Sequence, residues 1–259
     1  MECKICNHES EGIFTAKVLG KHDVRYYSCR NCGFLQTEEP FWLAEAYGSS
    51  INVTDTGLMA RNIALSKITA ALLYFLFDRK GRYLDYAGGY GIFTRLMRDI
   101  GFDFYWCDAY SQNLVARGFE YTGDGDIQLI TSFESFEHFV HPLEELERMN
   151  AISTTILFTT QLLPDPIPKP GEWWYYGLEH GQHISFYSAR TLRHIAAKYG
   201  RNLYSDGKSL HLLTPRKISN PAFRLILKLK KRLFGHIVRR MSGRSMDDMR
   251  LLLEKSKNE

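Results

Sequence analysis

The chain has 259 residues, 44% of them hydrophobic and 24% charged, with a formal net charge of +4. That length suits one large α/β domain plus a small module, and no run approaches the roughly 18–20 apolar residues that a membrane span needs. The opening Met1-Glu2-Cys3-Lys4 lacks the basic-then-apolar order of a secretory signal, so the expected location is cytoplasmic. The charge is uneven: residues 216–259 hold thirteen Lys/Arg against four Asp/Glu, while the rest is mildly acidic. A basic bias confined to one end gives no reason to expect a nucleic-acid partner.

Residues 1–40 read as a metal-binding module. Cys3-x2-Cys6 and Cys29-x2-Cys32 stand 22 residues apart, the spacing of a structural four-thiolate zinc site. Gly33 follows the second pair, where the turn needs a residue without a Cβ. Ile13–Leu19 and Val24–Tyr27 flank Gly20-Lys21-His22-Asp23 and predict a hairpin. So short a segment buries little core, and a metal would hold it together. Disulfides or free thiols are the alternatives. Cys107, alone in an apolar run, reads as a small core residue.

Residues 41–79 read as a helical cap or linker, with helices over Phe41–Tyr47 and Leu58–Phe77. From 80 to 215 strands alternate with helices. Strands are predicted at Tyr83–Ala87, Phe102–Cys107, Ile127–Phe133 and Thr154–Thr159, with an antiparallel pair at Asn202–Ser205 and Ser209–Leu213. Helices fall at Ile92–Ile100, Leu143–Met149 and Ala189–Tyr199. This order predicts a doubly wound, mostly parallel α/β sheet.

The first of these strands ends in Asp85 and runs into Tyr86-Ala87-Gly88-Gly89-Tyr90-Gly91 before a helix begins. Such a Gly-rich turn, at the carboxyl end of a parallel strand, lets backbone approach an adenosine-type ligand. The second strand ends at Asp108, 23 residues on, where a carboxylate can accept from both hydroxyls of a ribose. An acid that merely caps the next element is the alternative.

Leu84–Gly91 resembles the first motif of class I S-adenosylmethionine-dependent methyltransferases, with Gly89 and Gly91 on the second and third glycines and Ala87 in place of the first. The resemblance covers residues 80–215 and implies a Rossmann-like fold with a seven-stranded sheet. It implies a cofactor site at Asp85, Ala87, Gly88, Gly89, Gly91, Asp108, Ala109, Ser132 and Phe133. A dinucleotide enzyme would more often show Gly-x-Gly-x-x-Gly. Glu134-Ser135-Phe136-Glu137-His138 with Pro142 is similar to a block of small-molecule methyltransferases. In some quinone O-methyltransferases that block binds a divalent cation, which implies Glu134, Glu137 and His138 as ligands; a helix cap and packing motif is the alternative.

Between the last parallel strand and the last helix, a Pro-rich stretch over 164–171 leads into Trp173-Trp174-Tyr175-Tyr176 and then His180 and His183. Aromatic faces there suit a flat or sugar acceptor, or a lid. Gln182-His183-Ile184-Ser185-Phe186-Tyr187-Ser188 resembles a segment of sugar C-methyltransferases, which also carry an N-terminal four-cysteine module. The layout is similar as well to methyltransferases of bacterial surface glycans. In the sugar enzymes a Glu-His pair serves deprotonation. Here Gln182 replaces the acid, and Gln takes no proton at neutral pH, so O-methyl transfer is as well supported as C-methyl transfer. His183 is the first candidate base, His180 the second, and Glu179 a substitute for the missing acid.

Pro221–Met241 carries apolar residues at helical spacing with Lys and Arg between them. A basic amphipathic helix of this kind docks on the inner membrane face peripherally, on its own protein, or on a second copy as a homodimer. The leading expectation is zinc-stabilised, S-adenosylmethionine-dependent methyl transfer to a small-molecule, sugar or glycan acceptor. The alternatives are a cation-dependent quinone or phenol O-methyltransferase and a degenerate fold that only binds partners.

Overall fold

A computed structural model describes residues 1–48 and 55–257. Residues 49–54, inside the 41–79 segment expected to be helical, and 258–259 of the tail lie outside the described residues. The elements in chain order begin with β1 (Glu11–Val18), β2 (His22–Ser28), β3 (Leu35–Thr37), α1 (Leu43–Ala46) and α2 (Leu58–Leu76). Then come β4 (Arg82–Tyr86), α3 (Ile92–Ile100), β5 (Asp103–Cys107), β6 (Ile127–Ser132), α4 (Pro142–Ile152) and β7 (Ile156–Thr159). The chain continues through β8 (Ser185–Phe186), α5 (Ala189–Lys198), β9 (Asn202–Ser205), β10 (Leu210–Thr214), α6 (Asn220–Ile237) and α7 (Ser245–Lys255). One sheet has the order β1-β2-β3-β8 and the other β5-β4-β6-β7-β10-β9. Two compact units are distinguished: Met1–Asn52 with Ser132–Lys217, and Val53–Thr131 with Ile218–Glu259.

In the first unit the hairpin forms as predicted, with Val18 opposite His22. Leu19 and Gly20 take φ of 53° and 70°, the left-handed pair that suits a tight hairpin turn. Leu19 tolerates it because its N–H donates to the Leu178 carbonyl at 2.8 Å. β3 adds antiparallel to β2, and β8 adds to β3 with Leu35 opposite Phe186. The strand that follows the Pro-rich loop therefore completes the sheet of the cysteine module. Val18, Tyr26, Leu35, Trp42, Tyr175, Tyr176 and Phe186 form one buried core. Two of the four consecutive aromatics are thus core residues, whereas Trp174 is 73% exposed. β10 runs antiparallel to both β7 and β9, as expected of the closing pair.

In the second unit β4 runs parallel to β5 and to β6. Tyr83 and Leu84 are fully buried, as a strand covered on both faces requires. α3 buries Phe93, Thr94, Met97 and Ile100 along one side and ends at Gly101, whose φ of 119° a side chain would strain. α2 packs against α3 and α6. Phe223, Ile226 and Ile237 of α6 are buried, while Arg224, Leu225, Lys228, Lys231 and Arg232 remain exposed. No helix among the described residues is long and apolar enough to cross a membrane.

The larger sheet has six strands, which corrects the expected seven. Beyond β5, among the described residues, a single bridge, Trp106 with Glu120, forms on the outer edge. The chain there runs through Gly118, Gly123 and Gly125 at φ of 86°, 93° and 79°. Glycine in left-handed conformations, with Asp124 and Asp126 between and after, breaks a pleated ladder before it can lengthen.

Candidate functional site

The cysteine module brings all four thiols together. The Cys3 and Cys32 sulfurs lie 3.5 Å apart, Cys6 and Cys29 3.4 Å apart, and no disulfide joins them. All four sulfurs fall within 4.8 Å of one another. A tetrahedral ion with zinc–sulfur bonds near 2.3 Å sets sulfurs about 3.8 Å apart, so the residues fit zinc. Two matching turns aim them: Asn7 after Cys6 has φ 57° and Gly33 after Cys32 has φ 74°. Asn7, which tolerates that region, is the counterpart of Gly33 that sequence reading passed over. A Cβ on Gly33 would fall 2.5 Å from Ser188 Oγ. Hydrogen bonding with Cys32 is the main influence that pushes the Cys3 thiol down to about 5, toward the thiolate that a metal requires.

The Gly-rich turn in the second unit is built on a buried acid. Asp85 is 2% exposed and accepts from Thr131 Oγ1 at 3.0 Å and Thr94 Oγ1 at 3.1 Å. Burial pushes its carboxyl up to about 7 despite those bonds. Ala87, Gly89 and Gly91 all take positive φ, at 58°, 54° and 82°. Gly88 donates to the Cys107 carbonyl, and Trp106 Nε1 donates to the Gly89 carbonyl at 2.9 Å. A Cβ on Gly88 would meet Trp106 and Asp85, and one on Gly91 would lie 2.6 Å from Asn113 Oδ1. At Gly88 and Gly91 the backbone passes only without a side chain.

Asp108 holds this turn from the next strand. Its Oδ2 accepts from the Gly89 N–H at 2.9 Å, and its Oδ1 from Tyr110 and Ser111 N–H groups at 2.8 and 2.7 Å. The carboxylate therefore shapes the loop after β5, with part of its lone-pair capacity left on Oδ2. Ala109 is exposed beside it. Cys107 is half-buried, and burial raises its thiol. In the first unit, Ser132 is buried with its Oγ 2.6 Å from Ser135 Oγ, and Phe133 is half-buried.

A second cluster lies in the first unit. Glu137 is fully buried, and neither carboxylate oxygen has a hydrogen-bond partner. Burial first, and the nearby Glu134 charge second, raise its carboxyl to about 8. His138 Nδ1 lies 3.1 Å from the Gln182 carbonyl and 2.8 Å from the Tyr47 hydroxyl, which can donate to a ring nitrogen or accept from it. His183 donates from Nδ1 to the Tyr175 carbonyl at 2.6 Å. Burial lowers both imidazoles, His138 to about 4 and His183 well below its ordinary value. The two rings stand 4.9 Å apart, and His180 stacks edgewise at 4.7 Å from His183.

These placements sort the candidate residues. His183 is in the cluster, with Glu137 and His138. His180 flanks it, but its Nδ1 already accepts the Gln182 N–H at 3.2 Å. Glu179 is exposed and is not gathered with them; the acid beside His183 is Glu137. Gln182 has a structural partner, donating from Nε2 to the Ala46 carbonyl at 2.9 Å. Glu134, at φ 51°, accepts from Thr159 Oγ1 at 2.7 Å. Ser188 and Thr191 form a reciprocal cap for α5. The pairing of Glu137 with His183 had no sequence signal, since 45 residues separate them.

A sequence profile described as a methyltransferase domain matches residues 59–205 of this chain, more than half of its length. The chain belongs to the methyltransferase domain family. The match begins inside α2 and ends with β9, so it takes in the Gly-rich turn, Asp108 and the Glu137–His183 segment. No curated protein matches it. Among solved structures it is similar to TnmH at 16% identity and a TM-score of 0.46, covering 68% of this chain and 62% of that one. It is also similar to magnesium protoporphyrin IX methyltransferase from Synechocystis PCC 6803 with bound SAM, at 12% identity and a TM-score of 0.40, covering 66% and 89%. The likeness to OxaC in complex with sinefungin and meleagrin has 15% identity and a TM-score of 0.39 over 52% of this chain, and it spans 43% of the OxaC chain.

Proposed function

We propose that this methyltransferase-family chain transfers the methyl group of S-adenosylmethionine to a hydroxyl of a small sugar-type acceptor. The observation that carries the cofactor assignment is the turn over Ala87–Gly91, three of whose residues are left-handed, directly after the buried acid Asp85. Such a turn offers backbone rather than side chain to a ligand, at the strand end where doubly wound sheets bind theirs. Asp85, Gly88, Gly89, Gly91 and Asp108 are the residues assigned to it, with Ala87 as the strained member. Ala109, Ser132 and Phe133 complete the assigned set.

In the net reaction a sulfonium C–S bond breaks, its electron pair stays on sulfur, and the methyl carbon bonds to the acceptor oxygen. The acceptor hydroxyl gives up its proton, and the products are S-adenosylhomocysteine, the methyl ether and a proton. Alignment and exclusion of water carry most of such a transfer. The hydroxyl needs activation, which we assign to the Glu137, His138 and His183 cluster, with His183 as its central residue. The Gln182–Ser188 block, similar to that of sugar methyltransferases, supports a sugar-type acceptor. With Gln182 in place of the acid, transfer to oxygen is as well supported as transfer to carbon. Zinc in the four-thiolate site has a structural role, because a closed site leaves no position for substrate.

Calorimetry with S-adenosylmethionine and transfer of labelled methyl to a panel of sugar acceptors test this reading together. We expect binding, labelled methyl ether, and a turnover roughly 100-fold lower in His183→Ala with cofactor affinity within about twofold of wild type. Unchanged turnover in that variant removes His183 from the mechanism. Tight cofactor binding without transfer to any acceptor would favour a chain that only binds.

A further inference from the structure

Two imidazoles and a buried acid meet in the cluster of the first unit. The Tyr175 carbonyl can only accept, so His183 carries its proton on Nδ1, and the Gln182 carbonyl favours the same tautomer of His138. Each neutral imidazole is left with a bare Nε2. Glu137 adds a carboxylate that is fully buried and has no hydrogen-bond partner. One ligand atom from each of the three lies within 4.8 Å of the others. A fully buried acid without a geometric partner, set among two imidazoles, is costly unless a positive centre lies among them.

We infer that Glu137, His138 and His183 hold a divalent cation. One carboxylate with two imidazoles suits a borderline ion such as Mn²⁺, Fe²⁺ or Zn²⁺, and three protein ligands leave coordination positions open. The outer support is also present: both histidines donate Nδ1–H to backbone carbonyls, which orients a ring for metal binding through the other nitrogen. The ligand set differs from Glu134, Glu137 and His138 expected from sequence. The Glu134 carboxylate accepts from Thr159, and His183 takes the third place. On the methyl-transfer reading, on which this use of the ion rests, an acceptor hydroxyl at an open position is polarised and loses its proton more readily.

Metal counting on the full-length protein tests the site without any acceptor. Protein with zinc in its cysteine site is dialysed against Mn²⁺, and bound metals are counted by mass spectrometry with Mn²⁺ electron paramagnetic resonance as a second readout. We expect about one Mn²⁺ per chain beyond the zinc, with affinity at least roughly tenfold lower in Glu137→Gln and in His183→Ala. Cysteine thiolates are soft and compete poorly for Mn²⁺, which keeps the two sites apart. Wild-type protein that takes up no metal beyond the cysteine-bound zinc overturns the proposal, as does binding unchanged in both variants. The wild-type count stands even where a variant folds poorly. Absence of S-adenosylmethionine binding by calorimetry would sink the methyl-transfer reading and leave the metal count to decide the site alone.

Discussion

The Arg98 guanidinium grips the Asp248 carboxylate with two parallel hydrogen bonds, 2.8 Å from Nε and 2.6 Å from Nη2, across 150 residues of sequence. Both side chains are almost fully buried. Arg98 also donates to Asp103 and to the Phe104 carbonyl, so α7 is tied to α3 and β5 at one point. Burial alone would raise the Asp248 carboxyl, yet the Arg98 and Arg95 charges hold it below its usual range. Asp248→Ala leaves a buried guanidinium without its main partner and should cost about 3–5 kcal/mol. Urea unfolding measures this. Arg98→Met with Asp248→Leu should cost clearly less than the single change, and equal losses would refute the argument.

Ala87 and Gly91 have opposite sensitivities. Ala87 sits at φ 58°, where a Cβ is strained. Ala87→Gly should therefore change stability by no more than about 1 kcal/mol, with relief of strain offset by chain entropy. Gly91→Ala places a Cβ 2.6 Å from Asn113 Oδ1 and 3.2 Å from the Ala116 nitrogen, at φ 82°. It should lower S-adenosylmethionine affinity more than tenfold in calorimetry. A Gly91→Ala variant that binds as tightly as wild type would show that the turn does not contact the cofactor.

Asp85 makes stability depend on pH. Its folded carboxyl is raised to about 7, mainly by burial, against about 3.9 in an unfolded chain. The folded state thus holds the proton more tightly, and this contribution is fully present below about pH 4. It is lost as pH rises to about 7, and it is flat above. Asp85→Asn removes that slope and should gain on wild type by an amount on the order of 1–3 kcal/mol between pH 4 and 8. Urea midpoints of the two proteins that run parallel across this range would contradict the assignment.

Zinc removal should disturb more than the cysteine loops. Thr191 Oγ1 donates to the Cys32 carbonyl at 3.0 Å, and β3 pairs with β8 from Ser185, two residues after His183. Trp42, 2% exposed, donates to the Gly181 carbonyl at 2.7 Å. Chelation or Cys6→Ser should release about one zinc per chain, lower the melting temperature and shift tryptophan emission to longer wavelength. Unchanged emission and melting after measured zinc loss would confine the metal's role to its own loops.

Much of this molecule is legible in order along the chain. The Ile92–Ile100 helix ends where Gly101 makes it end, and the buried strands fall within a residue or two of their apolar runs. β3 and β8 are too short to carry a periodic pattern and exist only because they pair with each other and with β2. α7 starts at an N-cap, Arg244, that makes no side-chain cap hydrogen bond, and no cap pattern marks it. Glu137 was visible as an acid, but which histidines it would meet was not.

The sequence by itself determined the two thiolate pairs, the Gly-rich turn after Asp85 and the alternation of strands and helices. These follow from spacing, backbone sterics and apolar periodicity within a few residues, and each is complete before the chain folds back. Tertiary structure alone decided that Glu137 rather than Glu179 stands beside His183, that Gln182 serves as a backbone tie, and that Asp248 is buried against Arg98. Desolvation and the direction of a hydrogen bond depend on which distant groups close around a side chain, and no local pattern records that.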